Sequence, residues 1–191
     1  MNLKIRALAS VSALLMLVNS GKAGAGQITN SPEPRCNVTR PNGQGAAREQ
    51  PEPSLYGNGA LSVAPWPDGT VVFKPGGPGF VMRDGSLGMK WGWMRGVRGQ
   101  LKIEGHRLDA PAPLLQSEIA CCGYGDIGFQ PTYLIFPTPG CWEVTGSVGE
   151  ARLTFVTLVV KIGAGPSTVG DPVPAVCGTS VNCSDNPPRT P

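Results

Sequence analysis

The chain has a single histidine, His106. A Ser/His/Asp relay would rest on that one imidazole, and no serine sits in a G-x-S-x-G elbow. The same count excludes a His-rich zinc site, and no C-x-x-C pair offers a thiolate alternative. His106 closes an alternating segment, where it reads as a surface strand residue. Calcium loops of the D-x-[DN]-x-[DN]-G type are also missing. Asp68, Asp84, Asp109 and Asp126 stand at turns, where an aspartate bonds its own backbone. "KPGGPGF" (Lys74 to Phe80) is not a phosphate loop, because its lysine precedes the glycines and no helix follows. No catalytic residue, metal ligand or cofactor is nominated.

Two further scarcities set the fold class and the partners. No segment carries a 3.6-residue apolar period, so helices are not expected. A basic surface is lacking too. The formal charge of +3 comes from 16 Lys and Arg against 13 Asp and Glu. Lys4, Arg6 and Lys22 lie in a leader that has no acid, and removing them balances the rest of the chain. A nucleic-acid binder should show a basic patch, so nucleic acid is not an expected partner.

That leader, "MNLKIRALASVSALLMLVNSGKAGAG", has a basic start, an apolar stretch from Ala7 to Val18, and the small-x-small site Ala23-Gly24-Ala25. This is the grammar of a secretory signal peptide, with cleavage before Gly26. The apolar run is shorter than the ~20 residues of a spanning helix. Cys36 is too distant to carry a lipid. The expectation is a secreted or periplasmic protein with no membrane anchor after cleavage.

Glycine and proline (27 and 20 of 191 residues) make up about a quarter of the chain, near the level at which disorder sets in. They concentrate at the ends and at turns. The expected organisation is therefore a signal peptide over 1–25, an irregular arm over 26–54, a β-sandwich domain over 55–162 and a Pro-rich disordered tail over 163–191. The flanks have too few large apolar residues to offset ordering entropy, apart from a strand-like piece at Cys36 to Thr39.

Within 55–162, turn signals recur about every eight to twelve residues, the spacing of an all-β sandwich or barrel. "ALSVAPW" and "TVVFK" flank Pro67-Asp68-Gly69, which predicts a hairpin. "FVM" runs into a second turn at Asp84-Gly85. "GQLKIEGHRL" alternates, and "PTYLIF" is a compact apolar run. "CWEVTGSV" and "ARLTFVTLVVKI" flank Gly149-Glu150. There Trp142, Val144 and Val148 share one face, and Glu143, Thr145 and Ser147 the other. That is the pattern of an antiparallel strand with one face in a core, and it makes Trp142 a core anchor.

Six cysteines in an exported chain point to disulfides. Cys177 and Cys183 flank a short loop in the tail and are expected to pair. A Cys36–Cys141 bridge would staple the arm to a core strand. Cys121 and Cys122 then remain, either as a strained vicinal pair or as two structural cysteines with separate partners.

"MKWGWMRG" is the candidate site. Trp91 and Trp93, one residue apart, project from the same face of a strand, flanked by Lys90 and Arg95. Exposed, they would stack a sugar ring or a partner's side chain; otherwise they pack into the core.

The blocks "YGNGALSVAPWPDGTVVFKPGGPGF", "WGWMRGVRGQLKIEGHRLDAPAP" and "GYGDIGFQPTYLIFPTPGCWEVTGSVGEARLTFVTLVVKI" resemble a set of uncharacterised secreted bacterial proteins. The last hairpin resembles that of immunoglobulin-like domains. The resemblance implies an immunoglobulin-like antiparallel β-sandwich and no particular activity. The expected role is non-enzymatic binding of an extracellular protein or glycan. The alternatives are a peptidase inhibitor, with the loop Gly76 to Gly85 entering a cleft, and an extracellular hydrolase with an unrecognised site.

Overall fold

A computed structural model of the chain describes residues 36–120 and 124–167. Among these, strands dominate and the one helical element is a single 3-10 turn, Pro67–Gly69. The strands are β1 (Tyr56–Gly57), β2 (Leu61–Val63), β3 (Thr70–Phe73), β4 (Phe80–Val81), β5 (Leu87–Arg95), β6 (Lys102–Arg107), β7 (Gln116–Ile119), β8 (Gly128–Phe136), β9 (Gly140–Val148) and β10 (Ala151–Lys161). They form two sheets, neither closed into a barrel. The first has the order β1-β2-β5-β8-β7, with β4 also paired to β5. The second has the order β3-β10-β9-β6.

The long hairpin at the C-terminal end is as its sequence predicts. β9 and β10 pair antiparallel from Val148↔Ala151 to Gly140↔Val159. Trp142, Val144 and Val148 are buried, and Thr145 meets Thr154 hydroxyl to hydroxyl on the wet face. The turn at Asp84-Gly85 likewise joins the antiparallel pair β4 and β5, with the Asp84 carboxylate accepting the Ser86 amide and hydroxyl.

The Asp68-Gly69 turn departs from expectation. It has the predicted chemistry, with φ of 55° and 68° at its two residues, a region glycine enters without strain and aspartate tolerates. Yet β2 and β3 do not pair. Pro65 and Pro67 follow β2, and neither offers an N–H to continue a ladder. The chain therefore leaves the first sheet. At the turn, Thr157 of β10 donates its hydroxyl to the Gly69 carbonyl at 3.0 Å. β3 then runs parallel to β10, Thr70 opposite Leu158 through Phe73 opposite Lys161. The purely antiparallel expectation fails at this one pair.

The sheets meet across a shared aromatic core. Phe155 of β10 lies 5.3 Å from Trp91 and 5.8 Å from Trp93, centroid to centroid. Phe136 of β8 meets Trp142 of β9 edge-on at 5.7 Å. Trp93 also lies over Gly146, where any Cβ would overlap its six-membered ring. Burial of each such side chain stabilises by ~1.5–3 kcal/mol.

Residues 36–54 form no strand, and the strand-like piece expected at Cys36 to Thr39 is instead tied on by specific bonds. Cys36 and Cys141 form the expected disulfide. The Thr39 amide donates to the Val156 carbonyl, and its hydroxyl accepts from the Val156 amide, both at 2.8 Å. Ala46 and Leu55 are buried. The expected Cys177–Cys183 pair and the adjacent Cys121 and Cys122 lie outside the described residues.

Candidate functional site

β5 decides which side chains can meet a ligand. Pinned by β2 and β4 on one side and β8 on the other, it turns Leu87, Met89, Trp91, Trp93 and Arg95 inward. Trp91 is 2% exposed and Trp93 0%. The exposed indole platform is therefore overturned, and the core reading of these two residues holds. A one-residue slip would bury Lys90 and expose five large inward side chains, so register is strongly set. Arg95 goes inward with the tryptophans, and Lys90 alone of the four predicted residues faces solvent.

On the outer face, Lys90 of β5 pairs with Tyr133 of β8, and Tyr133 pairs with Glu118 of β7. The three form one row across three strands. Side chains directly opposite in a sheet lie within ~5.5 Å at Cβ, so an ammonium, a phenol and a carboxylate are set side by side. Among the described residues, none of these three polar groups has a hydrogen-bond or ion-pair partner. Burial pushes the Glu118 carboxyl above the usual carboxylate range.

Aromatic rings flank this row. Phe80 meets Tyr133 edge-on at 5.7 Å, and Tyr124 meets Phe129 at 6.2 Å. Phe129 leans over Gly92, where a Cβ would come within 2.8 Å of its ring, and Pro131 stands opposite Gly92. The result is a groove of about 200 Å³ lined by Lys90, Glu118, Tyr124, Pro131 and Tyr133 among others. Tyr124, Phe129 and Tyr133 are 40%, 49% and 36% exposed, so two rings open to water line the groove and a third, Phe129, extends the apolar surface beyond Tyr124.

Arg95 works from behind. Its guanidinium donates to the carbonyls of Gly99 (2.9 Å), Tyr124 (2.9 Å) and Gly125 (3.0 Å), and its Nε to Gly128 (3.3 Å). Burial pulls its pKa below the ordinary arginine value, an effect that the charge of Asp126 opposes. Arg95 thus holds the segment that carries Tyr124 and does not face a ligand.

The remaining candidates are accounted for locally. His106 is exposed on β6, with Nδ1 4.0 Å from the Glu143 carboxylate. Among the described residues it has no bonded serine, threonine or cysteine. Asp109 takes Arg107 Nε at 2.6 Å and the Cys141 amide at 3.1 Å. Asp126 pairs with Arg98 on the surface. Among the described residues, no group of three or more His, Cys, Asp or Glu could hold a metal ion. In the loop Gly76 to Gly85, Phe80 is 8% exposed and covers Gly88, so its largest side chain is not offered to a protease cleft.

Sequence reasoning missed Glu118, Tyr124, Phe129 and Tyr133. The available signal lay in β8, "GFQPTYLIF". Its inward set is Gln130, Thr132, Leu134 and Phe136, yet the opposite parity (Phe129, Pro131, Tyr133, Ile135) is apolar as well. A sheet strand apolar on both faces has something to cover its outer side, or something to bind there. No protein-family model, curated protein or solved structure matches the chain.

Proposed function

We propose that the protein is a secreted or periplasmic, non-enzymatic binding module of immunoglobulin-like sandwich architecture, whose ligand docks in the groove on the outer face of β5, β8 and β7. The observation that carries the binding role is the row Lys90–Tyr133–Glu118. It consists of a donor, a donor-acceptor and an acceptor, all without internal partners, beside the water-exposed rings of Tyr124 and Phe129. Concave sites with a few convergent polar groups among apolar walls are the usual form of a ligand site. The export reading rests on the leader sequence and on the disulfide. The immunoglobulin-like reading rests on two face-packed sheets and on the Pro139-Gly140 turn that leads into the Trp142 strand. The resemblance to secreted bacterial proteins points the same way.

The test is retention of purified, labelled protein on extracellular material: cell envelopes and the polymers shed from them. The native protein should be retained. A variant carrying Lys90→Ala, Tyr133→Ala and Glu118→Gln should melt like the native protein and wash off. Equal retention of the two removes the groove as the binding site. Covalent labelling by activity-based hydrolase probes would contradict the non-enzymatic reading.

A further inference from the structure

The groove's chemistry narrows what it accepts, and this step rests on the binding role proposed above. We infer that its ligand is a neutral glycan, with one pyranose ring seated between Tyr133 and Pro131 and the chain running along β8.

Size comes first. At about 200 Å³ the groove is smaller than the ~300–1,000 Å³ typical of sites for drug-sized ligands. It takes one ring rather than a fused ring system. Charge comes second. Lys90 and Glu118 stand in one row on either side of Tyr133. A phosphate or sulfate would meet the Glu118 carboxylate, and a cation seeking the aromatic faces would meet the Lys90 ammonium. A neutral ligand meets neither penalty.

Hydrogen bonding comes third. Lysine only donates, an ionised carboxylate only accepts, and a phenol does both. The complement of that mixed set is a group that donates and accepts at every position, as sugar hydroxyls do. Surface form comes last. A pyranose has apolar C–H faces and a polar rim. The exposed rings of Tyr133, Tyr124 and Phe129 supply apolar faces for the former, and the row of polar atoms meets the latter. Tyr133 and Phe129 are separated along β8 by four residues, or ~14 Å at the strand rise. A chain of linked sugars laid along β8 therefore reaches both, and a single sugar reaches one.

The experiment uses the full chain, ¹⁵N-labelled, titrated with a panel of defined neutral saccharides: β-1,4-glucan, α-1,4-glucan, β-1,4-xylan, mannan and N-acetylglucosamine oligomers, each as monomer and tetramer. Trp91 and Trp93 are buried in the core and not exposed in the groove, so amide shifts are the readout rather than indole emission. At least one tetramer should shift amides of β7, β8 and the Tyr124–Gly128 segment, and should bind more tightly than its monomer. Tyr133→Ala and Glu118→Gln should each weaken it about tenfold or more, equivalent to ~1.4 kcal/mol, with unchanged melting. Leu114→Ala, at an exposed residue outside the groove, should not. A panel with no binder, or one whose shifts fall away from β7 and β8, overturns the glycan assignment. If envelope retention still depends on the groove in that case, the ligand is of another class and the binding role stands. If both fail, both readings fall.

Discussion

Two kinds of buried tryptophan occur in this core. The Trp142 indole N–H donates to the Thr138 carbonyl at 3.0 Å. Those of Trp91 and Trp93 are buried with no acceptor among the described residues. Replacing a partnered donor leaves the other group unsatisfied, whereas removing an unpartnered donor relieves a penalty. Trp142→Phe should therefore destabilise more than Trp91→Phe, by ~1–2 kcal/mol. Urea unfolding of the two variants measures this, and equal midpoints at equal slope would contradict it. Titration at single residues has a definite sign as well. The Arg107 guanidinium, then the Cys141 amide, hold the Asp109 carboxyl below its ordinary value of 3.8. The unfolded chain binds this proton more readily, so Asp109 stabilises above that ordinary value and loses its contribution as pH falls through the lowered one. Asp109→Asn should flatten the acid limb of a stability–pH profile. Glu118 has the opposite sign. Burial raises its value, so stability falls as pH rises from the unfolded to the folded value. Glu118→Gln should then leave neutral-pH stability equal or improved.

At the scale of elements, β5 is the hinge between core and site. Its inward parity builds the aromatic interior, and its outward parity contributes Lys90 to the groove and the Gly92 position over which Phe129 leans. Its last residue, Arg95, reaches past the sheet to three carbonyls of the segment bearing Tyr124 and to that of Gly99 in the loop after β5. A lysine has one compact ammonium and cannot span that set. Arg95→Lys should weaken the fold by ~1.5–3 kcal/mol, the scale of hydrogen bonds to a charged group. It should also speed amide exchange at the Gly99 N–H, which donates to the Asp126 carbonyl of the held segment. β9 and β10 should keep their protection. Exchange confined to the native pattern would show that the carbonyls hold their positions without the guanidinium.

For the molecule as a whole, the Cys36–Cys141 bridge closes a loop of 105 residues in sequence separation. Cross-links over loops of that length restrict the unfolded chain most, and loss of a native bridge costs ~2–5 kcal/mol. The double variant Cys36→Ser, Cys141→Ser should be less stable by that amount and melt at a lower temperature. Its residues 36–55 should exchange faster than β5, β8, β9 and β10, because the arm's remaining ties are scattered bonds rather than a strand ladder: Thr39 to Val156, Asn42 to Gly57, Ala47 to Gly59 and Ser62 to Glu49, with the burial of Ala46 and Leu55. Unchanged melting would mean that those contacts alone anchor the arm.

Local pattern in the sequence determined the strand class, the β9–β10 hairpin, the inward set Trp142, Val144 and Val148, and the turns at Asp84-Gly85 and Asp68-Gly69. Each follows from period-2 alternation or from a residue's own φ preference, which need no knowledge of distant chain. The Cys36–Cys141 pair was legible because a cysteine in an arm and one at a core strand had few other uses. Which strand follows which was not legible: Asp68-Gly69 turns the chain whether it leads back to β2 or across to β10, and a hydroxyl on Thr157, far along the sequence, joins the two prolines in deciding it. The site shows the same division. Trp91, Trp93 and Arg95 share a face by sequence alone, but whether that face looks in or out depends on the second sheet. Lys90, Tyr133 and Glu118 come from three separate strands, and only their cross-strand register, set by burial on the opposite face, makes them neighbours.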